Sequence, residues 1–206
     1  MRIFIGLAFC GALAAQAPCS VEGRALDAAT GEPLVNATLR LRRAQASYFA
    51  RTDEKGSYAF AGIEPGQYRL SAERAGFLPA NYGARKLRGQ GKALTLAPGQ
   101  KATGLDLKLT AAGVIAGRVL KADGQPLVEG AVSILRQTYA GGKKRLTRDA
   151  EEPTNDRGEY RAGGLPPGRY YVRYSGPGRA MEGFEPLGES RETGAQTYHP
   201  STTDAA

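Results

Sequence analysis

Residues 63–69 read IEPGQYR and residues 165–171 read LPPGRYY, and each belongs to a longer block that the chain writes twice. VEGRALDAATGEPLVNATLRL at 21–41 matches IAGRVLKADGQPLVEGAVSIL at 115–135. TDEKGSYAFAGIEPGQYRLSA at 52–72 matches TNDRGEYRAGGLPPGRYYVRY at 154–174. A spacing of roughly a hundred residues is too long for a solenoid unit and right for a small complete domain. Whatever one copy builds, the chain builds twice, with a boundary expected between Thr110 and Gly113. The second copy has a longer middle, QTYAGGKKRLTRDAEEP at 137–153, expected as a loop with a mobile basic centre at 141–145.

Within a copy the apolar residues alternate. Val21, Gly23 and Ala25 point one way, and Glu22, Arg24 and Leu26 the other, as in a short strand. DAATGEPL and KADGQPL are turns: Asp27 or Asp123 bonds nearby backbone, Gly31 or Gly124 takes positive φ, and Pro33 or Pro126 fixes the re-entry. Ala37, Leu39 and Leu41 face inward with Thr38, Arg40 and Arg42 outward, and Val132 and Ile134 repeat this in the second copy. Asp53 and Gly56 make the next turn before a strand carrying Tyr58 and Phe60. Pro65 and Gly66 suit a type II turn, after which Tyr68 and Leu70 are expected to return antiparallel to Tyr58 and Phe60, with Ile63 or Leu165 tucked beneath. KALTLAPGQKATGLDLKLT at 92–110 offers two more strands. Short strands between frequent turns, in a chain with 28 Gly and 12 Pro, read as all-β: two tandem antiparallel Greek-key β-sandwiches. Helix is limited to a turn at 80–85. The expected division is a signal peptide at 1–17, sandwich 1 at 21–110 and sandwich 2 at 114–206.

The second copy looks unfinished. Tyr82 aligns with Tyr198, and nothing after it matches LTLAPGQ…LDLKL before Ala206. The expectation is that its C-terminal strands lie further along the natural chain. The alternatives are a borrowed strand or a tolerated gap. An open edge is a place for a protein partner to pair.

MRIFIGLAFCGALAAQA carries the pattern of an export signal: Arg2, an apolar run from Ile3 to Leu13 too short to span a bilayer, then small residues. Ala15-Gln16-Ala17 and Ala12-Leu13-Ala14 are the candidate cleavage sites, the first disfavoured by Pro18. No second apolar stretch is long enough for a transmembrane segment, so the expected location is secreted, periplasmic or cell-surface. Cys10 would leave with the signal. Cys19 then stands alone as an idle thiol, or pairs with another chain, and no internal disulfide is possible. The net charge is +8 and the sequence pI about 9.6. Arg40, Arg42 and Arg43, then Lys86, Arg88 and Lys92, then Lys143, Lys144 and Arg145 read as a solvated basic surface. For an exported chain the natural anionic partners are envelope glycans, lipopolysaccharide or membrane surface, and no nucleic acid is expected.

The two blocks, with V-x-G-R-x-L-D, G-x-P-L, T-D-x-x-G-x-Y-x-F and I-x-P-G-x-Y-x-L followed by A-G-F at 75–77, resemble the carboxypeptidase regulatory-like domain. The resemblance covers 21–109 and 115–174. It implies a transthyretin-like (prealbumin-type) sandwich, grouped with carbohydrate-binding-like modules, acting as an accessory module of bacterial surface proteins without catalytic residues. Relatives of the adhesin type form a Lys–Asn isopeptide bond. Here Arg24 and Arg118 stand where Lys is wanted, and the closing strand lacks Asn.

The residues agree that no enzyme is expected. The single histidine is His199, there is no His-Glu-x-x-His, no Gly-x-Ser-x-Gly elbow and no phosphate-cradling loop. Asp149, Glu151 and Glu152 crowd the long middle but lack the rhythm of a calcium loop. No metal and no cofactor are expected. Tyr58, Tyr68, Tyr160 and Tyr170 recur at strand positions and read as core or tyrosine-corner packing. Tyr139, Tyr171 and Tyr174, with Arg169, are left as candidate ligand-binding residues for carbohydrate or an anionic envelope polymer. The reading is a non-catalytic exported structural or interaction module, with carbohydrate binding as the alternative.

Overall fold

The structure is a computed structural model and describes residues 17–176. Residues 1–16 of the expected signal peptide, and Tyr198 and His199, lie outside the described residues. Packing divides the chain into two compact units, the first running to Arg74 with Pro79–Leu109 and the second taking Ala75–Leu78 with Thr110 onward. No helix occurs among the described residues.

The first unit contains β1 (Cys19–Asp27), β2 (Thr38–Arg43), β3 (Ala46–Arg51), β4 (Ser57–Ile63), β5 (Gly66–Glu73), β6 (Ala80–Asn81), β7 (Leu94–Leu96), β8 (Lys101–Ala102) and β9 (Leu107–Leu109). One sheet orders β4-β1-β8 with β9 also on β1, and the other orders β3-β2-β5-β6 with β7 also on β5. Alternation makes one face of each sheet apolar. Val21, Ala25, Tyr58, Phe60, Leu107 and Leu109 of the first sheet, and Leu39, Leu41, Tyr68, Leu70 and Ala72 of the second, are all buried. The antiparallel pattern has a local exception: β8 and β9 run parallel to β1, pairing Val21 with Ala102 and Ala25 with Leu107. They reach that edge by a long connection, as a parallel pair requires.

The second unit contains β10 (Gly113–Arg118), β11 (Ala131–Ala140), β12 (Lys143–Pro153), β13 (Glu159–Leu165) and β14 (Tyr170–Ser175), in the orders β10-β13 and β12-β11-β14. Val132, Ile134, Ala162 and Leu165 form its core, with Ile115, Val119, Tyr160, Tyr170, Val172 and Tyr174 packed on it. The outer edge of β10 has no strand partner among the described residues. Ile115 and Val119 are accordingly only half-buried, where the corresponding Val21 and Ala25 are fully buried. Leu78 and Ala112 bond across Ala75–Leu78 and Thr110–Ala112, N–H to carbonyl at 2.8 Å each, a clasp the sequence did not signal.

The turns form as the residues dictate. Asp27 Oδ1 accepts from Ala29 N–H at 2.7 Å, Asp123 Oδ1 accepts from Gln125 N–H at 3.0 Å, and Gly31 and Gly124 take φ of 74° and 82°. Asp53 and its counterpart Asn155 each accept two backbone N–H groups around Gly56 and Gly158, both at positive φ.

Four local expectations are corrected. Tyr68 and Leu70 do not return beside Tyr58 and Phe60, because β4 pairs β1 while β5 pairs β2 in the other sheet. The Pro-Gly stretch is an arch between sheets. Gly66 has φ 152°, outside the type II range, and Gly62 and Gly164, at φ 70° and 68°, sit in β-bulges near the ends of β4 and β13, where the ladders to β1 and β10 shift register. The tyrosine after each arch fastens it: the hydroxyl of Tyr68 donates to Glu64 O at 2.8 Å and that of Tyr170 to Pro166 O at 2.5 Å. The long middle of copy two is no mobile loop. Gly141 and Gly142, at φ 59° and 75°, make the two-residue primed turn that joins β11 and β12. Cys19 is buried and its thiol donates to Ala97 O at 3.0 Å, so it is not placed for pairing with another chain.

Candidate functional site

The four residues singled out in copy two are divided by strand alternation. Tyr139 lies near the tip of the β11–β12 hairpin and is 68 % exposed. Arg169 precedes β14, and its carbonyl accepts from Gln137 N–H at 3.4 Å. Tyr171 pairs with Leu135, which puts it on the face shared by Leu135, Gln137 and Tyr139. Tyr174 pairs with Val132 on the opposite face and packs on the core. A methyl group on Gly130 would lie 2.2 Å from the Tyr174 ring. Three of the four therefore gather at one end of one face, and Tyr174 does not join them.

Most recurring residues are engaged within the fold. Thr52 is buried, accepts from Ala37 N–H at 2.8 Å and donates to Leu34 O at 2.5 Å. Thr154 holds Gly130 in the same way at 3.2 and 3.3 Å. Arg43 lies over the Tyr68 ring, donates to Pro65 O and pairs with Glu64. Its counterpart Arg136 is held by Asp149, Nε to Oδ2 at 2.6 Å, which lifts the guanidinium's already high pKa further. The ladder between β11 and β12 slips between Ile134 and Leu135, so Asp149 is the extra residue of a β-bulge and turns inward. The acidic residues of the long middle are thus strand residues: Asp149 serves Arg136, and Glu151 pairs with Arg148. Arg24, at the position where a lysine was sought, pairs with Asp106 at 3.0 Å.

Tyr58 donates to Leu105 O at 2.6 Å beneath Gly23. Burial, reinforced by the Asp106 carboxylate, pushes its hydroxyl well above the usual phenol range. An unfolded tyrosine ionises near pH 10, whereas the folded Tyr58 keeps its proton. Its contribution is whole below that pH and is lost as pH rises toward the folded value. The expected result is a thermal midpoint that is flat up to about pH 10 and falls beyond it. Tyr58→Phe should fall less steeply, and an unchanged alkaline slope in that variant rules out this assignment.

A concentration of exposed arginines without carboxylate partners lies on the first unit, on the outer face of β3-β2-β5. Cross-strand register puts Arg42 directly opposite Arg69 and Arg40 opposite Phe49. The Arg40 guanidinium carbon sits 5.7 Å from the centroid of the Phe49 ring, which is 65 % exposed. Beside these residues an open cleft of about 730 Å³ is lined by Arg40, Arg42, Arg69, Gln45, Ser47 and Gln67 among others, and no carboxylate lines it. Sequence reasoning noticed Arg40 and Arg42 but missed Arg69 and Phe49. Alternation marks all four as outward, yet only the pairing of β2 with both β3 and β5 brings them together. A second opening of about 470 Å³ surrounds the Arg24–Asp106 pair and Ser57. Among the described residues no group of three His, Cys, Asp or Glu is placed to hold a metal, and no helix is long and apolar enough to cross a membrane.

The model of the carboxypeptidase regulatory-like domain matches the chain twice, over residues 20–110 and 114–197. No curated protein matches it. Similar solved structures include the Bacillus anthracis TIE protein, at 21% identity and TM-score 0.38, covering 79% of this chain and 29% of that one. A streptococcal ancillary pilin follows at 14% and 0.40, covering 86% and 59%. The minor pilin GBS52 of Streptococcus agalactiae stands at 14% and 0.38, covering 88% and 89%. The chain thus spans less than two thirds of the length of the first two.

Proposed function

The chain belongs to the carboxypeptidase regulatory-like domain family, in two tandem copies, and from that premise we propose that it is a non-catalytic, exported module with a structural or interaction role in the bacterial envelope or outside the cell. The observation that carries this reading is what the repeated residues do. Gly23, Thr52, Tyr58 and Tyr68, like Gly117, Thr154, Tyr160 and Tyr170, close turns, arches and sheet packing. What the chain says twice concerns holding a shape, and shape without reactive groups suits spacing and display. Interaction is read onto the surfaces where the copies differ: the outer edge of β10 for a partner's strand, and the arginine face of the first unit. We take the domains as 21–110 and 114–206, each expected to unfold cooperatively when expressed alone.

Mass spectrometry of the protein isolated from its producing cells tests the export claim. The expected mature N-terminus follows Ala14 or Ala17. Recovery of a chain that retains residues 1–12 in the cytosolic fraction overturns it. Turnover of a hydrolase substrate panel by the purified chain overturns the non-catalytic claim.

A further inference from the structure

We infer that the outer face of the β3-β2-β5 sheet in the first unit is a binding site for an acidic polysaccharide, gripped by Arg40, Arg42 and Arg69 with Phe49 as a stacking surface. The choice of polysaccharide over nucleic acid rests on the export reading above. The site itself rests on the geometry.

The fold does not require these arginines. The matching ladder of the second unit pairs Leu135 with Tyr171 where the first pairs Arg42 with Arg69, and has Ser133 where the first has Arg40. The same backbone is therefore built without charge at any of the three positions. Their presence in the first unit also works against the sheet, because like charges directly opposite each other repel. Arg24, Arg43, Arg136 and Arg148 each have a carboxylate beside them. Arg40, Arg42 and Arg69 have none among the described residues. Arg69 donates to Gly91 O at 3.2 Å and Arg40 lies over Phe49, but neither contact supplies the negative charge that would offset the repulsion, and cations set opposite each other without a carboxylate are placed to receive one from outside.

The ligand class follows from the side chains. Guanidinium forks match carboxylate, sulfate or phosphate groups two bonds at a time. Three of them on a flat wall beside an open cleft suit successive acidic groups of an extended chain better than one enclosed small anion. Gln45, Ser47 and Gln67 line the same cleft and offer hydrogen bonds to sugar hydroxyls. The face of Phe49 offers a flat apolar surface for a sugar ring. Phe49 is the one large exposed apolar side chain on this face among the described residues, too little for insertion into a lipid surface.

The test measures binding of the purified chain to immobilised alginate, dextran sulfate, neutral dextran, duplex DNA and phosphatidylglycerol vesicles at low salt. Wild type is expected to bind one or both acidic polysaccharides and not neutral dextran. Arg42→Gln with Arg69→Gln should weaken that binding about tenfold or more, since charge-assisted bonds are lost at two forks. Lys143→Gln with Lys144→Gln removes equal charge from the hairpin tip of the second unit and should leave affinity within about twofold, the bulk charge effect alone. The arginine double variant should melt close to wild type, because relief of the Arg42–Arg69 repulsion offsets loss of the Arg69 bond to the Gly91 carbonyl. Equal losses in both double variants, no binding to either acidic polysaccharide, or tighter binding of DNA or vesicles overturns the proposal. Export is tested separately by the mature N-terminus, so the two readings fail by different measurements.

Discussion

Replacing Gly23 by alanine is expected to destabilise the first unit by about 3 kcal/mol, at the upper end of what overpacking costs. A methyl group there would lie 2.3 Å from the Leu105 carbonyl oxygen and 2.9 Å from the Tyr58 hydroxyl. The first obstacle is backbone, so the segment leading into β9 must move away from β1, and the Tyr58 bond to Leu105 goes with it. Gly117 occupies the same place in the second copy, but the nearest atoms a methyl group there would meet belong to the Tyr160 side chain, at 2.7 to 3.0 Å. A ring can turn aside where a main chain cannot, so Gly117→Ala should cost only about 1 kcal/mol. Denaturant unfolding followed by circular dichroism measures both. Equal shifts for the two variants would show that the close approach of Leu105 to β1 is not what fixes this glycine.

Thr52→Val is the second large effect. Valine keeps the volume and removes the hydroxyl, leaving the buried Ala37 N–H and the Leu34 carbonyl without the group that joined them. Buried polar groups left unmet cost about 1–3 kcal/mol each, and about 3 kcal/mol is expected in all. The bonds made by Thr154 are longer, so Thr154→Val should cost roughly half as much. Thr52→Ser restores the hydroxyl and should recover most of the loss. If serine and valine unfold at the same denaturant concentration, methyl packing and not hydrogen bonding explains why this threonine is buried.

The turns were legible in the sequence because they obey rules that act over four or five residues. Asp53 with Gly56 and Asp27 with Gly31 need nothing distant to form. The inward residues were legible because alternation survives whichever strand lies alongside. Pairing was not legible. Tyr58 and Tyr68 both point inward whether β4 and β5 are neighbours or face each other across the core, and the residues between them do not distinguish a hairpin from an arch. The strand ASYFAR at 46–51 and the arm 143–153 were overlooked because neither has a full apolar side. Missing β3 hid the arginine face, since Phe49 meets Arg40 only through the β2–β3 ladder. Missing the hairpin of copy two hid the Arg136–Asp149 pair, which depends on a one-residue slip that no local pattern announces.

Within the first unit, β1 is made before the other strands and is among the last to be completed. Ser20 pairs with Lys101 and Ala25 with Leu107, and Arg24 finds its carboxylate 82 positions later. Until that stretch has been synthesised, one edge of β1 is bare. Loop closure over such distances is the slow part of β-sandwich folding, which runs in about milliseconds to seconds. While the residues up to 106 emerge, the first unit must therefore remain an unfinished sheet, and the rate at which Leu107 and Leu109 arrive sets the earliest moment at which it can close.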